Sequence, residues 1–273
     1  MNRTVRDLLL HALLLTLGFL TLAPLLWMVS ASFMHAGEAN TAPPPLWPHA
    51  PTLEHYRDLF VRLDLARHFM NSTIVAVVGT AIGVLTNAMA GYAFAKLRFA
   101  GRERVFGLLL VALVIPAQVG MMPLFLMMKG MGLVNTLMAA IVPSMASVFG
   151  IFMVRQFALS IPDDLLDAAR VDGASELRIF GTIVLPVLKP ILATLAAFIF
   201  LSSWNDFMWP LVVLSDNRNY TLPVALANLV GEHVQDTELM MAGSVLTVLP
   251  VVILFLAFQR QYIRGVMMGS VKG

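Results

Sequence analysis

One carboxylate lies well inside a long apolar stretch: Asp206, in the run Trp204-Asn205-Asp206-Phe207-Met208-Trp209. An acid in hydrocarbon is costly, and where one occurs it marks ion, proton or solute chemistry. With Trp204, Asn205 and Trp209 it would form a polar, aromatic wall suited to a hydroxyl-rich solute. The structural alternative puts both tryptophans in an interfacial aromatic belt and leaves Asp206 capping or packing a helix end. Two further polar residues interrupt apolar sequence. Asn87 lies in line with Gly79, Gly83 and Gly91 at four-residue spacing, a face that favours close helix packing with Asn87 bonding across it. Gln118, between Pro116 and Pro123, sits where a broken helix would expose backbone to a pathway.

Other chemistries find little support. His11, His35, His49, His55, His68 and His233 are dispersed and lack metal-ligand spacing, so no metal site is expected. With no cysteine there is no thiolate ligand, nucleophile or disulfide. A single buried acid is too few for an ion-coupled secondary transporter, the alternative function, which usually carries several titratable groups at mid-membrane. It is also too few for an intramembrane enzyme, which would need a Ser–His, paired-acid or metal arrangement. No Walker-type phosphate loop occurs, so any ATP hydrolysis falls to another chain. The expectation is a non-enzymatic chain.

The elements that position these residues follow from composition. Of 273 residues, 59% are hydrophobic and 12% charged, with a mean hydropathy of +0.81. A soluble domain is nearer half apolar and about a quarter charged, so lipid must solvate the surplus. A net charge of +2 gives no basis for nucleic-acid binding. Six stretches reach the roughly 20 residues needed to span hydrocarbon: 8–33, 69–95, 105–128, 134–157, 187–214 and 240–262. The first follows Arg3 and Arg6 but is too long for a signal-peptide core and carries Pro24 and Trp27, which makes it an uncleaved anchor.

Orientation follows from the basic residues of the short loops. One side collects Arg3, Arg6, Lys96, Arg98, Arg102, Arg104, Arg155, Arg170, Arg178, Lys189, Arg260, Arg264 and Lys272. The other holds Arg57, Arg62, Arg67, Lys129 and Arg218. Both termini are therefore expected in the cytoplasm. Two external connections are long: 34–68, with its run Ala42-Pro43-Pro44-Pro45-Leu46-Trp47-Pro48, and 215–239, polar and acidic. The division expected is an anchor helix and first external loop over 1–68, a transmembrane core over 69–263 and a cytoplasmic tail over 264–273.

The long cytoplasmic connection, 158–186, has internal pattern. Ser160-Ile161-Pro162-Asp163-Asp164 starts a helix, with Pro in the first turn and acids at the positive end of the dipole. Leu165, Leu166, Ala168 and Ala169 continue it, Gly173 permits a turn, and Ser175-Glu176-Leu177-Arg178 begins a second helix. Leu185-Pro186 marks that helix's end, or a bend at the membrane. On composition alone this is a solvated helical hairpin between two spans.

The spacing of Asp167-Ala168-Ala169, Gly173 and Ile183-Val184-Leu185-Pro186 closely resembles the EAA loop of bacterial ABC importer permeases. Trp204 to Leu211 with Tyr220-Thr221-Leu222-Pro223, the exit Gly91-Tyr92-Ala93-Phe94-Ala95-Lys96, and the ending Gln259 to Gly273 resemble the carbohydrate subgroup, specifically its smaller, MalG-like partner. The resemblance runs from about Phe69 onward. It implies an all-α membrane fold of six spans with a cytoplasmic helix–turn–helix coupling loop. It also implies the function of permease in an ATP-driven, binding-protein-dependent importer of a di- or oligosaccharide, in the bacterial inner membrane. The implied partners are a MalF-like second permease, two ATPase subunits and a periplasmic or lipid-anchored sugar-binding protein. The chain itself would carry no cofactor, since ATP and Mg sit on the ATPases.

Carried over residue by residue, Asp167, Ala168, Ala169, Asp172, Gly173, Leu185 and Pro186 would meet an ATPase. Asp216, Tyr220, Asn228 and Glu232 would face the binding protein, and Ser270 and Lys272 in the tail would reach the ATPases. Trp204, Asn205, Asp206, Gln118 and Asn87 remain the pathway candidates. The family usually has Glu where this chain has Asp167, which keeps the carboxylate but shortens its reach by one methylene. A partial pocket does not identify the sugar, although the lack of a basic cluster outside disfavours a phosphorylated one.

Overall fold

The computed structural model describes the backbone of residues 3–232 and 236–270, and the side chains of 5–229 and 236–256. All regular structure among them is helical. The helices are α1 (Arg3–Ala31), α2 (Glu54–Val61), α3 (Leu65–Lys96), α4 (Arg102–Ala112), α5 (Met121–Gly130), α6 (Leu137–Ile141) and α7 (Val148–Ala158). There follow α8 (Asp163–Val171), α9 (Glu176–Ile179), α10 (Leu185–Trp204), α11 (Met208–Val213), α12 (Leu222–Glu232) and α13 (Thr237–Ser270). Among the described residues five helical stretches are long and apolar enough to cross a membrane, and α4 with 117–130 makes a sixth if that bent pair counts as one span.

Three expected spans are not straight rods. The third turns by 102° between Arg102–Ala112 and Ala117–Gly130, where Pro116 begins a 3-10 turn. Proline withholds a donor and disfavours helix in the residue before it, so the chain breaks there. The fourth is interrupted by a 3-10 turn at Val142–Met145 and by extended backbone at Ala146 and Ser147. The fifth does not run to Leu214: α10 stops at Trp204, and the short α11 restarts at Met208.

At its other end α10 begins earlier than expected. The chain is helical from Glu176 through to Trp204, so Leu185-Pro186 neither ends nor divides it. A π-helical turn at Phe180–Val184 explains this. The Leu185 amide donates to the Phe180 carbonyl, five residues back, and Pro186, which has no amide to donate, follows directly in the first turn of α10.

The chain divides into two compact units, Met1–Ala66 with Ala225–Val251, and Arg67–Val224 with Val252–Gly273. In the first unit the proline-rich loop is tied to its own helix: Trp27 Nε1 donates to the Pro45 carbonyl at 3.0 Å and Ser30 Oγ to that of Leu46 at 2.6 Å. His55, in the first turn of α2, is buried and bonds the Met34 carbonyl through Nε2 at 2.9 Å. Glu238, read as part of an acidic outer loop, is wholly buried in the first turn of α13, where Oε1 accepts the Ala39 amide at 2.7 Å. Glu38 closes the loop from within. Its carboxylate accepts the amides of His35 and His49 and contacts His49 Nδ1, and these bonds hold its pKa down from 4.5 to about 2.

The second unit is built on α3. Its buried side, Ala88, Tyr92 and Ala95, packs with Val154 and Ala158 of α7, Leu166 of α8, Ile179 of α9 and Leu188 of α10. The Gly79–Gly91 face permits this approach. A Cβ on Gly83 would lie 2.7 Å from the Ser144 carbonyl oxygen, and one on Gly91 would lie 2.6 Å from Val154 Cβ.

Gly83→Val is therefore expected to cost about 1–3 kcal/mol through overpacking. Gly107→Ala, which meets nothing within 4 Å, is expected to cost nothing in the same denaturant titration in detergent. For Glu38, a depressed folded-state pKa means the stabilisation is full above pH 4.5 and is lost as the pH falls through about 2. Protection of the His35 and His49 amides, relative to their intrinsic exchange at each pH, should fall across that window in the native chain and show no such step in Glu38→Gln.

Candidate functional site

Helices α8 and α9 form a compact pair at the end of α3. The turn between them follows from Gly173, whose φ of +81° lies in the left-handed region. The Gly173 amide donates to the Arg170 carbonyl and the Ala174 amide to that of Ala169, both at 3.0 Å. This 5→2 and 6→1 pair is a Schellman ending with Asp172 at the C-cap. Ser175 then caps α9, its Oγ accepting the Arg178 amide.

Two polar tethers fix the pair to α3. Lys96 Nζ, at the C-terminus of α3, donates to the Ile161 carbonyl at 2.6 Å and to Asp163 Oδ1 at 2.7 Å. The Asp163 carboxyl lies below its usual range because Lys96 bonds and pairs with it. The second tether runs through Tyr92, whose hydroxyl donates to Glu176 Oε2 at 2.8 Å. Arg170 Nε donates to the other oxygen of Glu176 at 2.7 Å, and its Nη1 to Asp167 Oδ1 at 2.6 Å. Those two carboxylates push the guanidinium pKa further up, so Arg170 stays charged. A cleft of about 770 Å3 lies between the end of α3 and these helices, with Lys96, Arg98, Asp163, Asp167 and Arg170 in its wall.

The two sides of the pair differ. Leu166 and Ile179 are buried in the core, and Ala169 and Leu185 pack half-buried against it. On the outside lie Asp167, Ala168, Asp172, Gly173 and Pro186, together with Val171, 88% exposed, and Leu177, 74% exposed. The local sequence thus gives an apolar patch with small residues around it and a carboxylate already engaged by Arg170. Arg170, Tyr92 and Lys96 were not singled out from sequence, although Arg170 stands three residues after Asp167, a spacing that brings two side chains together on a helix.

The pathway candidates are not gathered into one place. Asn87 is fully buried, donating to the Gly83 carbonyl at 2.5 Å and accepting the Ser147 amide at 3.0 Å. Gln118 is exposed in the 3-10 turn after the broken third span. Trp204 and Trp209 are buried, at 1% and 5% exposure, rather than lying in a lipid-facing belt. Trp204 stacks on Phe200 at 5.8 Å, and Trp209 donates to the Ala139 carbonyl at 2.8 Å. Asp206 is half-buried where the helix stops, its Oδ1 accepting the Trp209 amide at 3.4 Å. The helix-capping alternative describes it better than a polar wall. Asn205 is exposed and bonds back to the Leu201 carbonyl.

On the opposite side, 215–239 is not simply a polar loop, because it contains α12 with buried Leu222, Val224, Leu226 and Leu229. Asn135, missed in the sequence, organises its start. Its Oδ1 accepts the Ser215 and Asp216 amides at 3.0 and 2.9 Å, and its carbonyl accepts Asn219 Nδ2 at 2.7 Å. Asp216 caps the next 3-10 turn. The Tyr220 carbonyl accepts from Asn71 at 3.0 Å, and Asn228 is exposed. The side chains of Glu232 and Ser270, and all of Lys272, lie outside the described residues.

The family model for the binding-protein-dependent transport system inner membrane component matches residues 79–267. The chain is 41% identical over 268 residues to the arabinooligosaccharides transport system permease protein of Halalkalibacterium halodurans, a match covering 95% of this chain and 96% of that one. It is 34% identical over 276 residues to the lactose transport system permease protein of Rhizobium radiobacter, covering 100% and 98%. A chain of the bacterial ABC transporter that imports the polysaccharide alginate shares its fold, with a TM-score of 0.83, 24% identity and coverage of 95% and 98%.

The Tyr92–Glu176 bond is expected to contribute about 1 kcal/mol. Tyr92→Phe should lower stability to denaturant by that amount, and in a Glu176→Gln background the same change should cost measurably less.

Proposed function

The chain belongs to the family of binding-protein-dependent transport system inner membrane components, and we propose that it is one permease of an ATP-driven importer of a di- or oligosaccharide. Its relatives named for arabinooligosaccharides and lactose support the substrate class. Family membership favours this over an ion-coupled carrier. A second permease completes the pathway, two ATPase subunits carry ATP and Mg, and a binding protein delivers the sugar from outside. Both termini lie in the cytoplasm, a placement that the distribution of Lys and Arg supports. The chain performs no chemistry of its own.

The observation that carries the coupling role is the outer face of α8 and α9. Val171 and Leu177 are exposed beside Ala168 and Gly173, on a pair whose other side is sunk into the core. An exposed apolar patch with a polar surround suits a protein partner, and small residues allow its backbone to come close. Asp167 is held by Arg170, which also pairs with Glu176, so the ATPase would meet an engaged carboxylate rather than a free one. ATP-driven closure of the ATPases would then move the pair and, through the tethers at Tyr92 and Lys96, bias an inward–outward equilibrium.

Val171→Asp and Gly173→Val test this in the assembled importer. The first places a charge on the patch. The second forces a β-branched residue into a left-handed turn, at about 1–2 kcal/mol. Both are expected to reduce co-purification of the ATPase and sugar-stimulated ATP hydrolysis at least tenfold, the factor that corresponds to about 1.4 kcal/mol. Unchanged assembly and unchanged stimulation in both variants would sink the coupling assignment.

A further inference from the structure

Between α3 and α4 the chain makes a turn of only five residues, 97–101, with arginines on and beside it. A cleft of about 600 Å3 opens there, lined by Arg98, Phe99, Gly101, Arg102, Glu103 and Arg104. The charges are not balanced. Glu103 is taken by Arg102, at 2.9 Å, and by Arg155, at 3.4 Å. Arg98 and Arg104 are exposed; among the described residues neither makes an ion pair or hydrogen bond, although Arg98 also acts at longer range on Asp163 across the neighbouring cleft. Two guanidiniums therefore face one cleft whose single carboxylate, Glu103, is bonded to other arginines.

The same turn carries apolar surface. Phe99 rests on Phe94 at 5.7 Å yet remains 44% exposed. From the arginines onward α4 shows Val105, Leu108 and Val111, with 44%, 72% and 62% of their surfaces exposed. Basic head and apolar flank lie in one strip, at the point where two membrane-crossing helices leave the bilayer. A soluble anion would match only the head. A molecule with a phosphate at one end and hydrocarbon at the other matches both.

We propose that the turn between α3 and α4 holds an anionic phospholipid, its headgroup phosphate between Arg98 and Arg104 and its chains along Phe99 and α4. Guanidinium suits this because it forms paired N–H···O bonds to phosphate oxygens, and basic clusters just cytoplasmic of a span select anionic lipid. The inference rests on the cytoplasmic placement of this turn proposed above. The bound lipid would anchor the end of α3 that carries Tyr92 and Lys96.

The full chain in mild detergent, mixed with phosphatidylglycerol or phosphatidylcholine, would be examined by native mass spectrometry for retained lipid. Each arginine near an anionic surface contributes about fivefold, so phosphatidylglycerol should be retained more than tenfold over phosphatidylcholine. The double variant Arg98→Gln, Arg104→Gln should bring the two lipids to parity while keeping the native helical content by circular dichroism, since both side chains are exposed. Equal retention by the native chain, or an undiminished preference in the double variant, overturns the proposal. So does displacement of the lipid by millimolar inorganic phosphate, which would mark a site for free phosphate. Placement is tested separately on the naturally cysteine-free chain. Ala100→Cys should resist a membrane-impermeant maleimide added to intact cells and react after permeabilisation. Labelling from outside would overturn the orientation and the lipid site together, whereas protection leaves the lipid measurement to decide alone.

Discussion

The fourth span breaks at Met145–Ser147 in a region that lipid would surround, and lipid offers no hydrogen bonds to the backbone groups a break sets free. Two side chains of α3 supply them. Thr86 donates to the Met145 carbonyl, and Asn87 accepts the Ser147 amide. They reach only because glycines bring α3 within van der Waals contact of that backbone: a side chain at Gly83 would overlap the Ser144 carbonyl. Ser147 in turn caps α7 through the Gly150 amide. Without the small-residue face of α3, the break would expose unsatisfied groups and α7 would lose its start.

The same helix governs the end that carries α8 and α9. Tyr92 and Lys96, farther along the helix than Asn87, hold the α8–α9 pair by side chains that are largely buried, with Lys96 at 6% side-chain exposure. Buried charge-assisted hydrogen bonds are stronger and more directional than apolar contact. Movement of the pair therefore has to involve α3, and α3 meets α7 over its stretch from Asn87 to Ala95. The core that joins them is apolar, with Tyr92 and Phe180 among its aliphatic members, and close-packed cores tend to shift between discrete arrangements rather than deform gradually.

The features legible in sequence were those with a fixed spacing. The four-residue rhythm of Gly79, Gly83, Asn87 and Gly91 survives as a packing face, and the helix, glycine turn and second helix of 160–179 appear where their caps lie. What was hidden depended on partners remote in the chain. The stop at Trp204 is invisible because apolar residues continue on both sides, and only Asp206 and Pro210 hint at it. Asn135 gives no signal until its positive φ and its bonds to Ser215 and Asp216 are seen. The acids of 215–239 drew attention away from Leu222, Val224, Leu226 and Leu229, which make α12 a buried helix. Arg170 was read as one more positive charge, although two carboxylates lie within its reach.

The π-helical turn at Phe180–Val184 has a rotational consequence. At about 100° per residue, an unbroken α-helix would carry Ile179 about 160° around the axis from Leu195. One surplus residue, as a π turn supplies, takes back about 100° and leaves them about 60° apart. Both are buried in the same core, so it is the irregular turn that keeps α9 in phase with α10. The helix from Glu176 to Trp204 is in this sense a shaft with a built-in offset: its α9 end is keyed to the same side as its α10 end.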